Sequence, residues 1–429
     1  MSSPSLPIIP LRRHRSYQAV IWSQACTDGC EQFLVMAITW AALHQFGSAK
    51  LGLVLAAWAI PRGLLLLFGG VLVDRSERRS LTALVGGLLA LLTLAAALVT
   101  RHGELSAWIA VAIGLGVLDA VRLPVAGSML PSYVHHDQLV DANRWNGLRE
   151  WTTLAAGPAI GGILVATIGT SGTLLLSAGL YLISALLMVL VPAVPAPPAE
   201  DRTSVLADLR SGLDYVLRHP RLRVLLPSFA LANLFVLGLL GVAVPVLAKN
   251  VLHAGPQGLG ALSASFGGGL VVGTLVCGRF PQRWQYSQRH IFLLFMASDL
   301  LLALVGLMPG VLLACAVYLC SGLFAGPAAT FYRTLLQTIP PSRYLGRVNS
   351  IAKATSFGLE PVSVTAIGAL SARVSAAAIL LVGGLAASAV DFTGSLLSRS
   401  ASDDRPSTEP PAPELAIDPL ASGTLPAEP

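Results

Sequence analysis

Twelve apolar runs, each long enough to cross a bilayer, leave this chain of 429 residues one class of fold. They lie at about 18–43, 51–73, 81–100, 105–128, 148–169 and 172–193, then at about 224–248, 257–280, 290–308, 310–332, 347–370 and 374–397. A helix needs about 20 mostly apolar residues to span roughly 30 Å of hydrocarbon. The alternating strands of ~10 residues that mark an outer-membrane barrel do not occur. Charge agrees: 12% of residues are charged, about half the ~25% of soluble domains. The chain reads as an all-α membrane protein of twelve transmembrane helices.

The runs fall as six, a polar stretch, and six more. That predicts an N-terminal segment 1–17, a six-helix bundle 18–193, a linker 194–222, a second bundle 223–397 and a tail 398–429. With the N-terminus inside, inner loops and flanks hold nineteen Arg and Lys against four outside (Lys50, Arg101, Lys249 and Arg373), which places both termini in the cytoplasm. Arg12, Arg13 and Arg15 precede a first run with no cleavage site, so it starts transfer and stays. In the linker, Pro195-Ala196-Pro197-Pro198 is a stiff spacer. Leu206, Leu209, Leu213 and Val216 then recur at helical spacing, predicting an amphipathic helix over 204–218 on the inner membrane face. The tail holds seven prolines and six acids and is expected to be disordered. A net charge of +6 sits in short loops, as membrane topology requires, and gives no reason to expect nucleic acid. Cys26, Cys30, Cys277, Cys315 and Cys320 follow no zinc or disulfide spacing, so no metal is expected.

Between the second and third runs stands Gly70-Val71-Leu72-Val73-Asp74-Arg75-Ser76-Glu77-Arg78-Arg79. A merely basic loop would not need Gly, Leu and Asp at these offsets. The stretch resembles the signature loop of the major facilitator superfamily, G-x-L-x-D-R-x-G-R-[RK], with Glu77 in place of a Gly. Gly157-Pro158-Ala159-Ile160-Gly161-Gly162 is similar to the G-x-x-x-G-P-x-x-G-G element of that family's drug:proton antiporters, with Thr153 at the first Gly; generic small-residue helix packing is the other reading. Leu130-Pro131-Ser132-Tyr133-Val134 with Leu139 and Ala142-Asn143, and the linker stretch from Leu209 to Pro220, resemble macrolide-efflux-type exporters. The resemblance covers about residues 15–397. It implies a monomeric, multi-pass protein of the cell (inner) membrane without cofactors, whose two bundles rock about a midplane site. Such a protein exports amphipathic drugs or secondary metabolites against protons, with the Asp74 loop as a gate.

Eight ionisable residues lie inside the runs: Asp28, Glu31, Arg62, Asp119, Arg122, Asp299, Lys353 and Glu360. Each costs about 2.5–3.5 kcal/mol at the bilayer centre, so each must face water, a partner or a proton. Asp28 lies about ten residues, or ~15 Å, into its helix, and Glu31 follows one turn later. Two such carboxylates repel, which predicts a shared proton, with Asp28 releasing it inward and Glu31 meeting cationic substrate. A static pair of either with Arg62 is the alternative. Asp119 and Arg122 read either as a coupling site or as a self-satisfied pair one turn apart. Asp299 and Glu360 are further candidates for protons or cationic substrate; Asp391 is expected to snorkel. Trp22, Trp40 and Trp108 read as interface belts, and Trp58, one turn from Arg62, as a wall of the substrate cavity.

No phosphate-binding G-x-x-x-x-G-K-[ST], H-E-x-x-H or G-x-S-x-G is present, which points away from ATP hydrolysis and from an enzyme. The expected function is proton-coupled export of amphipathic small molecules. Export of one metabolite or siderophore is the first alternative, and a non-transporting sensor or scaffold using the acidic tail is the second.

Overall fold

The computed structural model describes residue 11 and residues 14–129, 133–134, 138–192 and 205–402. The Pro195–Pro198 spacer, Leu130-Pro131-Ser132 and the tail beyond Ser402 lie outside the described residues, as do the side chains of Gly70, Asp74 and Arg75. The first half carries α1 (Arg15–Phe46), α2 (Ser48–Arg75), α3 (Arg78–His102), α4 (Leu105–Met129), α5 (Leu139–Thr167) and α6 (Gly169–Val189). There follow α7 (Val205–Arg218), α8 (Leu222–Gly238), α9 (Val244–Asn250), α10 (Gly255–Val276) and the short α11 (Gln282–Gln285). The chain continues through α12 (Gln288–Val305), α13 (Val311–Thr338), α14 (Ser342–Phe357), α15 (Glu360–Leu370) and α16 (Ala376–Ser402).

Among the described residues, nine helical stretches are long and apolar enough to cross a membrane. α1, α5 and the α14–α15 pair are helical too, but polar residues dilute them, and Asp28, Glu31, Arg149, Lys353 and Glu360 sit there. Helix is the only open answer for such runs, because lipid offers the backbone no hydrogen bonds.

Several boundaries differ from the sequence expectation. α5 starts at Leu139, nine residues before the apolar run, so Arg149 lies well inside the helix rather than at its flank. The seventh run is broken by a π-turn, Leu239–Ala243, because Pro245 cannot donate back to Gly241. The eleventh run splits at Gly358-Leu359, just before Pro361, which interrupts the hydrogen-bond ladder in the same way. α16 runs to Ser402, five residues past the expected end. Trp108 is a core residue, 1% exposed and edge-on to Phe46, and not a belt residue.

In the first half α2 packs on α4, α3 on α6, and α1 on α5 and α6; in the second, α10 packs on α13 and α12 on α13 and α16. Serine pairs bind some of these helices, Ser23 with Ser184 at 2.8 Å and Ser298 with Ser321 at 3.0 Å. Two crossings join the halves, α5 with α10 and α2 with α15, and both turn on facing glycines. A Cβ on Gly162 would lie 2.9 Å from Gly260 Cα, and one on Gly52 would lie 3.1 Å from Gly368 Cα. Both crossings lie at the end of the molecule that carries the Gly47 and Ile168 turns. There Lys249 Nζ also donates to the Leu43 carbonyl at 3.0 Å. The α5–α10 contact continues to Gly267 against the Leu154 carbonyl, while Gly269 and Gly273, on another face of α10, pack on α13.

The linker helix α7 does not lie on a membrane face alone; it docks on α14 and α8. Gly212 fits against Arg347 and Ile351, and Tyr215 stacks on Tyr344 with ring centroids 4.5 Å apart. Burial and the neighbouring Arg221 hold the His219 imidazole below its usual range, so the α7–α8 corner gains no charge at neutral pH. Tyr215→Ala should loosen this docking by about 0.5–1.5 kcal/mol, the worth of an aromatic pair. Faster tryptic cutting at Arg210 or Arg218 would register it, and unchanged cutting would rule it out.

Candidate functional site

The ionisable residues of the first half converge on one network. On α4, Asp119 and Arg122 are a turn apart, and Arg122 Nε donates to Asp119 Oδ1 at 2.9 Å. Trp58 on α2 donates its indole N–H to Asp119 Oδ2 at 2.8 Å. It is 6% exposed, so it braces the network and does not wall a substrate cavity. Arg122 Nη2 lies 2.7 Å from Glu31 Oε1 on α1. One guanidinium thus serves two carboxylates.

Asp28 and Glu31 line one cavity but take different ion-pair partners, and neither pairs with Arg62. Asp28 pairs with Arg149 of α5, which also donates to Asn146 Oδ1 at 3.0 Å. Arg149 is the residue that sequence reading missed, having been counted among the bases of inner loops and flanks. The signal was available, since helical spacing of apolar residues continues back from Trp151 through Leu148 and Trp145. Arg62 pairs across the two halves with Glu360 on the first turn of α15, and stacks over Phe357 at 5.4 Å.

In all, four carboxylates (Asp28, Glu31, Asp119, Glu360) face three guanidinium groups (Arg62, Arg122, Arg149). Asp28, Arg149 and Glu360 each have one ion-pair partner in the set, and the surplus negative charge falls on the Glu31–Arg122–Asp119 triad. Asp119 is the best held of the triad, with two donors and a side chain 3% exposed. Glu31, with one cation shared and 23% exposed, is the least compensated.

Glu31, Asp28, Glu150, Arg122 and Arg149 line a cavity of about 380 Å³ together with Gln32 and Asn146. Gln32 also lines a second space of about 140 Å³ that reaches Leu240, Pro245 and Ser263 of the other half. Gln32 thus stands between the charged cavity and a smaller space at the boundary between the halves. Among the described residues no cluster of His, Cys, Asp and Glu has the makings of a metal site.

The remaining sequence candidates lie apart. Asp299 on α12 is 6% exposed and sits beside Asp391 of α16, itself 2% exposed; Asp391 is buried between helices and does not snorkel. Gly157 and Gly161 of α5 face Gln32 and Met36 on α1, and Gly162 faces α10, so this motif is a packing surface. Arg79 donates to the Val189 carbonyl at 3.1 Å, tying the start of α3 to the end of α6.

A bundle of long apolar helices around a charged cavity, with ion pairs and close helix crossings joining two halves, is the build of a membrane transporter. Residues 20–361 match the family model of the Major Facilitator Superfamily, and the chain belongs to that family. It is 27% identical over 339 residues to the enterobactin exporter EntS of Escherichia coli O139:H28 (strain E24377A / ETEC), covering 77% of this chain and 79% of the relative. The same share is identical in the EntS protein of Escherichia fergusonii. The fold is similar to a bacterial homologue of the iron transporter ferroportin in its inward-facing state, with TM-score 0.69, 16% identity, and coverage of 91% of this chain and 99% of that one. It is likewise similar to the nucleoside transporter NupG, with TM-score 0.69, 13% identity and coverage of 89% and 98%. The chain is therefore a multi-pass membrane transporter of small molecules.

Proposed function

We propose that this chain is a proton-coupled exporter of amphipathic small molecules in the cell (inner) membrane. Its twelve helical runs cross the bilayer as two six-helix bundles, 18–193 and 223–397, with both termini in the cytoplasm. Nineteen bases against four support that orientation. The closed glycine crossings are then at the outer end, and the cavity at Glu31 opens inward, ready to load a compound for export. One observation carries the coupling: within the ion pairs three guanidinium groups hold four carboxylates, which leaves one carboxylate without a cation of its own. The least compensated carboxylate is Glu31, and it is the proton carrier in this reading, with Asp28 held charged by Arg149. Moving one proton through 100 mV supplies about 2.3 kcal/mol, or roughly fiftyfold in concentration.

A specific siderophore cargo is the second reading, favoured by the exporter relative and by two arginines in the cavity wall. One assay tests both. Proteoliposomes carrying a luminal pH dye are exposed to a panel of cationic drugs and to enterobactin, with and without a protonophore. Substrate-dependent proton flux should occur in the wild type. It should vanish in Glu31→Gln, while binding of the substrate persists and passive exchange continues. Asp28→Asn should leave the flux coupled but lower stability, since Arg149 loses its carboxylate. Coupled flux in Glu31→Gln would sink the assignment of the carrier, and flux with enterobactin alone would decide for the siderophore.

A further inference from the structure

We propose that Asp299 of α12 and Asp391 of α16 form a proton-binding site of their own, holding one proton between them and so clamping the two helices. The site stands apart from the Glu31 network and does not depend on which residue couples transport. Both side chains are buried, and the two carboxyls are within hydrogen-bond reach of each other. Asp391 Oδ2 is fully buried and meets no donor. Asp299 stands eleven residues into α12, about 16 Å at 1.5 Å per residue, which is deep for an unpaired charge. Two ionised carboxylates in contact repel, and an acceptor that faces another acceptor is satisfied only when a proton lies between them.

The surroundings supply neither a cation nor a donor. The hydroxyls one turn to either side on α16 are spent on carbonyls, Ser388 on Met296 at 3.5 Å and Ser395 on Phe392 at 2.7 Å. The charged and titratable groups of the packed helices lie elsewhere. Arg223, Arg283, Arg289, Arg333 and Cys320 are exposed, and Cys315 packs in the large apolar core. Lys249 donates to the Leu43 carbonyl, His290 stacks on Trp284, Tyr318 on Phe266 and Tyr332 on Phe229. Arg399 follows eight residues, about 12 Å, further along α16. A Cβ on Gly384 would stand 2.7 Å from Ala303 Cβ, and one on Gly394 would stand 2.8 Å from the Phe292 ring. Such close contact of α12 and α16 on both sides of Asp391 favours a bare proton over a hydrated ion. One carboxyl O–H then donates to the other carboxylate across the two helices. α16 also meets the π-turn, where Gly383 packs on Leu239, so the clamp fixes the helix that backs the small space beside Leu240.

The test uses the full chain in detergent and the infrared C=O band that protonated carboxyls show and carboxylates lack. At neutral pH, Asp299→Asn and Asp391→Asn should each remove one carboxyl's worth of that band, because the new amide donates in the proton's place. The double variant should remove no more than either single one, since one proton is shared. No loss in the single variants, or twice the loss in the double one, overturns the proposal. Wild-type protein made with heavy carbon in its aspartate carboxyls should show the band shifted, a reading that needs no variant to fold; an unshifted band overturns the site. The unfolded chain releases this proton at neutral pH, so stability should fall as pH rises through the pair's titration, and fall less in Asp391→Asn. Superimposable profiles overturn the clamp. Replacing choline chloride with sodium, potassium or lithium chloride should leave the unfolding temperature unchanged. A rise that both Asn variants abolish makes the pair a metal-cation site and overturns the proton. Glu31→Gln should leave the aspartate band intact, so this site and the coupling assignment fail separately.

Discussion

Arg122→Met should destabilise the protein by about 3–5 kcal/mol and abolish transport, because it leaves the buried Asp119 and the half-buried Glu31 without their shared cation. Asp119 cannot relax toward water, since its side chain is 3% exposed and pinned by Trp58 and Arg122 from two helices. Glu31 loses its ion-pair partner as well. The loss is larger than that from Trp58→Phe, which removes one donor to a charged group, worth about 1.5–3 kcal/mol. Adding Glu31→Gln to Arg122→Met should restore part of the stability and none of the proton coupling, which separates the fold from the cycle. Arg122→Lys keeps the charge but cannot reach both carboxylates with one planar fork, so it should fold better than the Met variant and still transport poorly. Thermal unfolding in detergent, followed by proton flux in liposomes, gives the order. A Met variant as stable as the wild type would show that the triad is not a buried ionic unit.

Much of this was legible in the sequence, and the parts that were not share a cause. Continuous apolar runs determine helices regardless of tertiary context, since lipid leaves the backbone no other partner. Depth along a helix was legible for the same reason: Asp28, Glu31, Asp119 and Arg122 do meet at one level. Pairing was not legible, because it depends on which helices are neighbours. Arg62 finds Glu360 from the other half of the chain, 298 positions away, which no local spacing announces. Arg149 finds Asp28, 121 positions away, only because α5 packs on α1, and its place at the edge of an apolar run read as a flank. The Asp119–Arg122 pair, by contrast, is local, and helical spacing anticipated it. Asp391 was misplaced for a related reason. Position near a helix end suggests snorkelling, but α12 covers it, as the Gly384 contact with Asp299 and Ala303 shows. Trp58 followed the same course, its indole N–H drawn into the network by α4 rather than turned to a cavity.

Gly162→Leu and Gly52→Leu should each prevent the closed crossings from forming and stop transport while sparing the fold of either half. The reason is backbone contact. A Cβ on Gly162 would stand 2.5 Å from Pro256 O, and one on Gly52 would stand 2.5 Å from Val364 O. Neither neighbour is a flexible side-chain end that could swing away, so the helices themselves must separate. Forcing an extra group into a close-packed contact costs about 1–3 kcal/mol. Where two conformations differ by a few kcal/mol, that is a shift of roughly 5–150-fold in their ratio, and two such sites multiply it. The penalty falls only on the state in which α5 meets α10 and α2 meets α15, so the opposite state gains population. Thr39, 6% exposed and lining the small cavity near these crossings, reports the change. In a background without the five native cysteines, Thr39→Cys should resist an impermeant maleimide added outside. It should react readily once Gly162→Leu and Gly52→Leu are both present. Gly87→Leu is the control, since a Cβ there meets nothing within 4 Å. If the double variant transports normally and Thr39→Cys stays protected, the glycine crossings are not the outer closure, and the inward-open assignment falls with them.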